Sequence, residues 1–108
     1  MSARTEKTSQ INALADMACH AQSAAGMLKS LANEHRLLIL CHLAAGEQSV
    51  GQLNALVPLS QSALSQHLSV LRREGFVGTR REAQTIFYSL MPGPAAQVIK
   101  VLHDIYCQ

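Results

Sequence analysis

The sequence has few aromatic residues and no long apolar run, and each shortage excludes a class of protein. Aromatic residues make up 4% of the 108 positions and tryptophan is absent, so Leu, Ala, Val, Ile and Met must form the core. No run approaches the roughly 18 consecutive apolar residues that a membrane-spanning helix needs. The N-terminal segment MSARTEKTSQ lacks the apolar stretch of a signal peptide. We therefore expect a cytoplasmic protein with no membrane partner.

Cysteine is also scarce, and its distribution argues against two further classes. The three cysteines are Cys19, Cys41 and Cys107. An odd number of widely spaced cysteines without a secretory signal does not build a disulfide framework. A Cys-x-x-Cys pair is absent, which argues against a small thiol oxidoreductase or peroxidase. Turnover of a persulfide or peroxide substrate would be needed to support that alternative function.

The hydrophobic content is high for so short a chain. A length of 108 residues fits one small domain, residues 1–108. Hydrophobic residues make up 48% of it, and the mean hydropathy is +0.10. A small monomer has too little interior to bury this much apolar surface. The composition therefore indicates an oligomer interface.

Helical spacing of apolar residues predicts the outer helices of the chain. The first covers residues 9–31, after a polar segment, residues 1–8, that we expect to be disordered. A strongly apolar helix covers residues 34–44. The last helix, residues 95–107, is apolar nearly all round, which is typical of a helix that is buried on several sides. We expect a second subunit to cover it, so that the first and last helices form a homodimer interface.

The residues between these helices predict a winged helix-turn-helix. Ser49 and Ser60 are typical N-caps of two helices over residues 49–74, and Gly75 stops the second. β-Branched and aromatic residues on both sides of a charged middle predict a two-stranded hairpin over residues 76–90. The expected fold is therefore mainly α-helical, with a small β-hairpin as the wing.

The second helix of this motif separates an apolar stripe from a polar one. Leu64, Leu68 and Leu71 recur at i, i+4 and i+7, and we expect them to face the core. His67 adjoins this stripe, so we expect it to be packed and hydrogen-bonded. Small hydroxyls on the opposite stripe can approach a groove wall, and a glutamine can pair bidentately with adenine. The residues of the polar stripe are Ser62, Ser65, Gln66, Ser69 and Arg73.

Basic residues cluster beside this helix. Of nine Lys and Arg residues, four fall between positions 72 and 81, where Glu74 is the sole acidic residue. Next to a polar helix, such a cluster favours a polyanion partner. Arg72 and Arg73 are expected to meet phosphates, while Arg80 and Arg81 reach the DNA backbone or minor groove from the wing. The alternative is a helix-turn-helix that binds protein, which a strong salt dependence of duplex binding would contradict.

Three segments in order resemble the ArsR/SmtB family of small dimeric repressors: MLKSLANEHRLLILCHL, LSQSALSQHLSVLRREGFV and REAQTIFYSL. The resemblance covers the chain from about Ala25 to its end. It implies a winged-helix homodimer, a double-stranded operator with inverted repeats, and release by a small inducer. By position it implies DNA contacts from the wing at Arg80 and Arg81. On the recognition helix it implies contacts from Ser60, Gln61, Ser62, Ser65, Gln66 and Ser69.

Two metal sites common in that family lack their ligands in this sequence. Where many relatives have Cys-Val-Cys, this chain has Ser49 and Gly51, neither of which offers a thiolate. The last helix holds only His103 and Asp104, whose side chains point about 100° apart because they are adjacent. We therefore predict no metal and no cofactor. The alternative is a metal-responsive repressor with a non-standard site, whose ligands would come from Cys19, His20, Cys41 or Cys107.

Two cysteines match the sulfide- and persulfide-responsive branch of the family, the BigR and SqrR type. That branch carries one cysteine in the helix before the helix-turn-helix and one near the end of the last helix, where this chain has Cys41 and Cys107. The resemblance implies a dithiol switch that responds to reactive sulfur species or oxidants. Packed helices about 8–10 Å apart can bring facing Cα atoms within the roughly 7 Å limit of a disulfide. Cys19 is assigned no role.

Overall fold

The computed structural model describes residues 2–107, with side chains from residue 14 onward. The fold is the mainly helical winged helix-turn-helix that the sequence predicts. None of the described helices is both long and apolar enough to cross a bilayer. In chain order the elements are α1 (Ser2–Leu31), α2 (Glu34–Ala44), β1 (Gln48–Ser49), α3 (Val50–Leu56), α4 (Gln61–Arg73), β2 (Val77–Glu82), β3 (Thr85–Leu90) and α5 (Pro94–Tyr106).

The first helix is longer than the sequence pattern indicates. It begins at Ser2, whereas the sequence pattern places its start at residue 9, and Met1 lies outside the described residues. Neither proline nor glycine occurs before Gly26, and so no strong helix breaker stops the hydrogen-bond ladder of α1. A helix of 30 residues is about 45 Å long, which accounts for a molecule of 61 × 29 × 25 Å.

Local capping chemistry starts both helices of the helix-turn-helix, as the sequence predicts. The Ser49 hydroxyl accepts the Gln52 backbone N–H at 3.1 Å, and the Gln52 side chain accepts the Ser49 N–H at 2.8 Å. This capping box starts α3. Ser60 starts α4 in the same way, because its hydroxyl accepts the N–H of Ala63 at 3.2 Å.

The apolar stripe of α4 lies in the core. Leu64, Leu68 and Leu71 are at most 1% exposed, which confirms the predicted inward face. They pack with Ile39 of α2 and Ile99 of α5, both of which are fully buried. The opposite stripe of α4 is consequently turned to solvent.

The wing is a three-stranded antiparallel sheet in the order β1-β3-β2. Glu82 pairs with Thr85 across a two-residue turn, and Gln48 pairs with Tyr88. β1 is only two residues long, too short to give an alternating pattern in the sequence, and it was not predicted. Through this strand the segment before α3 is fixed to the base of the wing.

Candidate DNA interface and thiol pair

The polar face of α4 is exposed to solvent. Its serine and glutamine side chains are all exposed, and two exposed arginines follow at its end. The Ser60 hydroxyl is already engaged as the helix cap and lies 3.3 Å from the Ser62 hydroxyl. The exposed residues of this face are Ser60, Gln61, Ser62, Ser65, Gln66, Ser69, Arg72 and Arg73.

His67 lies behind this face and ties α4 to two other helices. The Nε of Arg36 donates to His67 Nδ1 at 3.2 Å, and Nη1 of the same arginine donates to the Ser30 carbonyl at 3.1 Å. The His67 ring also lies 6.0 Å from the ring of His35. Burial, together with Arg36 and His35, lowers the pKa of His67. The packed, hydrogen-bonded role predicted for His67 is confirmed, although its partner was not foreseen.

Arg80 of the wing is held by partners within the chain. Its Nε lies 2.9 Å from both carboxylate oxygens of Glu47, and its Nη1 lies 2.8 Å from Glu82 Oε2. The guanidinium also sits 4.5 Å above the centre of the Phe87 ring. These hydrogen bonds raise the pKa of Arg80. To contact a phosphate, Arg80 would have to exchange carboxylate partners, one of which lies 33 residues earlier in the chain.

Arg81, the next residue, has different surroundings. Its side chain is exposed, and among the side chains that the structure describes it forms no ion pair. It lines a concavity of about 270 Å³ between the end of α4 and the wing, together with Arg72, Thr79, Arg80 and Ile86. This concavity joins the basic end of the recognition helix to the basic wing.

The three cysteines are free thiols in different environments. Cys41 is half-buried on α2 and packs against the core, whereas Cys107 is exposed at the C-cap of α5 and Cys19 is exposed on α1. α2 packs against α5. Burial, with a smaller contribution from the charge of Cys107, raises the pKa of Cys41. The fold therefore places Cys41 and Cys107 on two helices that pack against each other.

The two positions at which many relatives have metal-binding cysteines lie at the start of α3 in this structure. Ser49 caps α3, and Gly51 lies in its first turn. Over the part of the chain with described side chains, no group of three or more His, Cys, Asp or Glu residues could hold a metal ion. The metal-site alternative thus has no preformed cluster within this part of the protomer.

Comparison with known proteins gives concordant results. Residues 33–79 match the model of the family described as bacterial regulatory protein, arsR family. The transcriptional activator HlyU of Vibrio cholerae is 52% identical over 95 residues, which are 88% of each chain. The biofilm growth-associated repressor of Agrobacterium fabrum is 51% identical over 81 residues, 75% of this chain and 69% of the relative. The first of these relatives is named as an activator of transcription and the second as a repressor.

The solved structures agree with the sequence relatives. Reduced HlyU from Vibrio cholerae superimposes with a TM-score of 0.81 at 52% identity, covering 86% of this chain and 98% of that one. A homodimeric winged helix-turn-helix DNA-binding domain from Mycobacterium bovis gives a TM-score of 0.70 at 28% identity, covering 82% of each chain. On these grounds the chain belongs to the ArsR family of bacterial transcriptional regulators.

Proposed function

We propose that this protein is a homodimeric repressor that binds an inverted-repeat operator and releases it when Cys41 and Cys107 become linked. The observation that carries the DNA-binding part is the wholly exposed polar face of α4, which ends in two arginines. The observation that carries the switch is the packing of α2 against α5, because Cys41 lies on α2 and Cys107 lies at the C-cap of α5.

The recognition helix has the dimensions and chemistry for a major groove. A helix of 13 residues is about 20 Å long, and an α-helix fits the roughly 12 Å width of the groove. Gln66 lies in the middle of the polar face and can read adenine bidentately, while small serines let the helix approach closely. Arg72 and Arg81 supply positive charge on both sides of the concavity that leads to the wing.

Exposed apolar residues on α1 and α5 support the homodimer. Leu14 and Met17 on α1 are 70% and 59% exposed, and Val101 and Ile105 on α5 are 55% and 60% exposed. A groove of about 450 Å³ between the two helices is lined by Met27, Val98 and Val101 among others. The Mycobacterium bovis relative is itself homodimeric. A two-fold axis through such an interface would present two recognition helices to an inverted repeat.

The chemistry of the link follows from the exposure of each thiol. Cys107 is exposed and accessible to an inducer, whereas the raised pKa of Cys41 leaves Cys41 a smaller thiolate fraction than an ordinary cysteine has. The Cys107 thiolate attacks the outer sulfur of a persulfide RSSH, the S–S bond breaks and RS⁻ leaves, which gives Cys107–S–SH. The Cys41 thiolate then attacks the Cys107 sulfur and expels HS⁻. Two thiols and one RSSH thus give one disulfide, RSH and H₂S.

A longer bridge is also chemically balanced. When each cysteine carries one extra sulfur, two Cys–S–SH groups condense to Cys–S–S–S–Cys and release H₂S. A trisulfide spans a wider gap, and so it relieves strain where the two helices hold the thiols too far apart for a direct bond. This difference favours persulfides over peroxide as inducers, because peroxide supplies no bridging sulfur.

A defined path leads from the thiols to the recognition helix. Cys41 lies on α2, the helix whose Arg36 donates to His67 of α4. Tying α2 to α5 at Cys41 and Cys107 would shift α2 relative to the dimer helices and thereby move α4. Operator half-sites require recognition helices about 34–36 Å apart, so a small shift in each protomer loses contacts at both half-sites.

The test combines intact mass spectrometry with operator binding after treatment with glutathione persulfide. Wild type should gain an intramolecular link and lose affinity. Cys41→Ser and Cys107→Ser should each bind DNA and each ignore the persulfide, because one sulfur cannot form the bridge. Cys19→Ser is the matched control and should respond like wild type. Release of DNA from either single mutant, or a requirement for Cys19, would refute the two-thiol switch.

A further inference from the structure

A cavity lies on the contact between α2 and α5. Its volume is about 510 Å³, within the roughly 300–1,000 Å³ range of small-molecule sites. We call it the seam pocket. It is lined by Ala44, Ala45, Leu90, Ala96, Lys100 and His103.

The seam pocket and Cys107 share one flank of α5. Ala96, Lys100, His103 and Cys107 follow one another at intervals of four, three and four residues, the spacing of a single helical stripe. Cys107 continues this helical track, since its N–H donates to the His103 carbonyl at 2.8 Å. His103 is therefore only about 6 Å along the axis from Cys107.

The other wall of the pocket leads to the second thiol. Ala44 and Ala45 come three and four residues after Cys41, one turn further along α2. The apolar residues that we assign to the dimer, Val101 and Ile105, lie on the other flank of α5. By helical spacing the lining of the seam pocket lies about one turn from each cysteine, on the flank of α5 opposite the proposed dimer residues.

The lining has a definite chemical preference. Three alanines and a leucine form an apolar floor, and the side chains of Lys100 and His103 are exposed at the rim. The ammonium group of Lys100 and the ring N–H of His103 are donors that suit a carboxylate. A small molecule with an aliphatic or thioether body and a carboxylate end fits both parts of the site.

We propose that the seam pocket binds the carboxylate end of a low-molecular-weight persulfide and thereby directs its outer sulfur to Cys107. This inference rests on the proposed thiol switch and adds the selectivity of its first step. In that step RSSH and the Cys107 thiol give Cys107–S–SH and RSH, and the carboxylate of R stays at Lys100. The pocket thus favours organic persulfides that carry a carboxylate over neutral ones.

The experiment compares two persulfides on the full-length dimer. Glutathione persulfide carries carboxylates, whereas 2-hydroxyethyl persulfide is neutral. In a Cys19→Ser, Cys41→Ser background Cys107 is the sole thiol and its persulfide cannot be resolved to a disulfide, so the rate at which the reduced protein gains one sulfur is followed there by intact mass spectrometry at low and high salt. Lys100→Gln is the test variant. Lys29→Gln is its matched control, because Lys29 is an exposed lysine at the end of α1.

We expect Lys100→Gln to lower the rate of sulfur transfer from the persulfide that carries carboxylates and not from the neutral one. Lys100→Gln should slow sulfur transfer from glutathione persulfide about three- to fivefold at low salt, the size of one exposed charge contact, and high salt should abolish the difference. The rate with 2-hydroxyethyl persulfide and both rates of Lys29→Gln should match wild type. Equal slowing with both persulfides, or no slowing with either, overturns the pocket assignment. If wild type forms no link with either persulfide, the proposed switch itself fails.

Discussion

At the scale of single residues, the wing carries two adjacent arginines that have the same predicted role but different partners in the structure. Arg80 is bound to Glu47 and Glu82 and stacks on Phe87, whereas Arg81 is exposed in the concavity beside α4. Between positions 72 and 81 of the sequence, Glu74 is the sole acidic residue. The sequence alone could not identify Glu47, because no periodic pattern connects residues so far apart in the chain.

The two arginines should therefore differ in the salt dependence of operator binding. Each phosphate contact contributes about −0.9 to d log K/d log[salt]. Arg81→Ala should flatten the slope by about this amount, because it removes a free cation. Arg80→Ala should leave the slope nearly unchanged, since its charge is already matched by carboxylates. Fluorescence anisotropy titrations at KCl concentrations from about 50 to 200 mM, over which phosphate contacts lose affinity steeply, measure both slopes. Equal flattening by the two variants would show that Arg80 exchanges Glu47 for a phosphate.

His67 makes the stability of the fold depend on pH. Its pKa is lowered in the folded state by burial, by Arg36 and by His35, so the unfolded chain takes up the proton first, near the ordinary value of about 6.5. The contribution to stability is fully present above that pH, is lost as the pH falls below it, and stops changing once folded His67 is also protonated.

Urea unfolding tests how much His67 contributes to the free energy of unfolding. It is measured from about pH 8 to about pH 5, a range that brackets the ordinary histidine pKa. His67→Asn keeps an acceptor near the position of Nδ1 but does not titrate. Wild type should lose more stability than this variant as the pH falls through about 6.5. Because the other histidines are present in both proteins, the difference between the two curves isolates His67. Parallel curves would mean that the bond from Arg36 does not depend on the proton of His67.

At the scale of elements, the end of the recognition helix sets the direction of the wing. The Phe76 N–H donates to the Leu71 carbonyl at 2.9 Å, and the Gly75 N–H donates to the Arg72 carbonyl at 3.0 Å. This pair of bonds is a Schellman motif, which needs a residue with positive φ at its centre. Gly75 has φ +78°, and β2 begins two residues later.

Replacing Gly75 should destabilise the protein through the backbone alone. No atom lies within 4 Å of a Cβ added at this position, so steric crowding by neighbours is excluded. Gly75→Ala should lower the free energy of unfolding by about 1–2 kcal/mol, the cost of the left-handed conformation. Gly75→Asn should cost less, because asparagine tolerates that region better. Urea denaturation should give free energies of unfolding that decrease in the order Gly75, Gly75→Asn, Gly75→Ala. A Gly75→Ala variant as stable as wild type would contradict the cap assignment.

At the scale of the whole molecule, the sequence predicts those features of the fold that depend on interactions between residues close together in the chain. Ser49, Ser60 and Gly75 mark helix ends through bonds that span at most five residues, and the leucine stripe of α4 follows from helix geometry. The two-residue strand β1 and the hydrogen bond from Arg36 to His67 depend on tertiary packing, so neither leaves a sequence signal. The seam pocket is likewise formed by residues from α2, β3 and α5.

The exposed apolar flank of α5 is the surface that the proposed homodimer would bury. Val101 and Ile105 are both more than half exposed in the single chain and lie one turn apart on α5. Burying them against a second copy would remove apolar surface from both protomers at once. A carboxylate placed there would have to be desolvated in the interface, which costs several kcal/mol.

Ile105→Glu should therefore weaken the dimer by roughly 100-fold or more, measured by sedimentation equilibrium under reducing conditions. The monomer that results should lose affinity for a full inverted repeat much more than for a half-site, because two recognition helices then no longer bind as a unit. Lys100→Gln lies on the opposite flank of the same helix and should leave the dimer intact. A wild-type chain that is monomeric at micromolar concentration, or an Ile105→Glu dimer of unchanged strength, would move the interface away from α5.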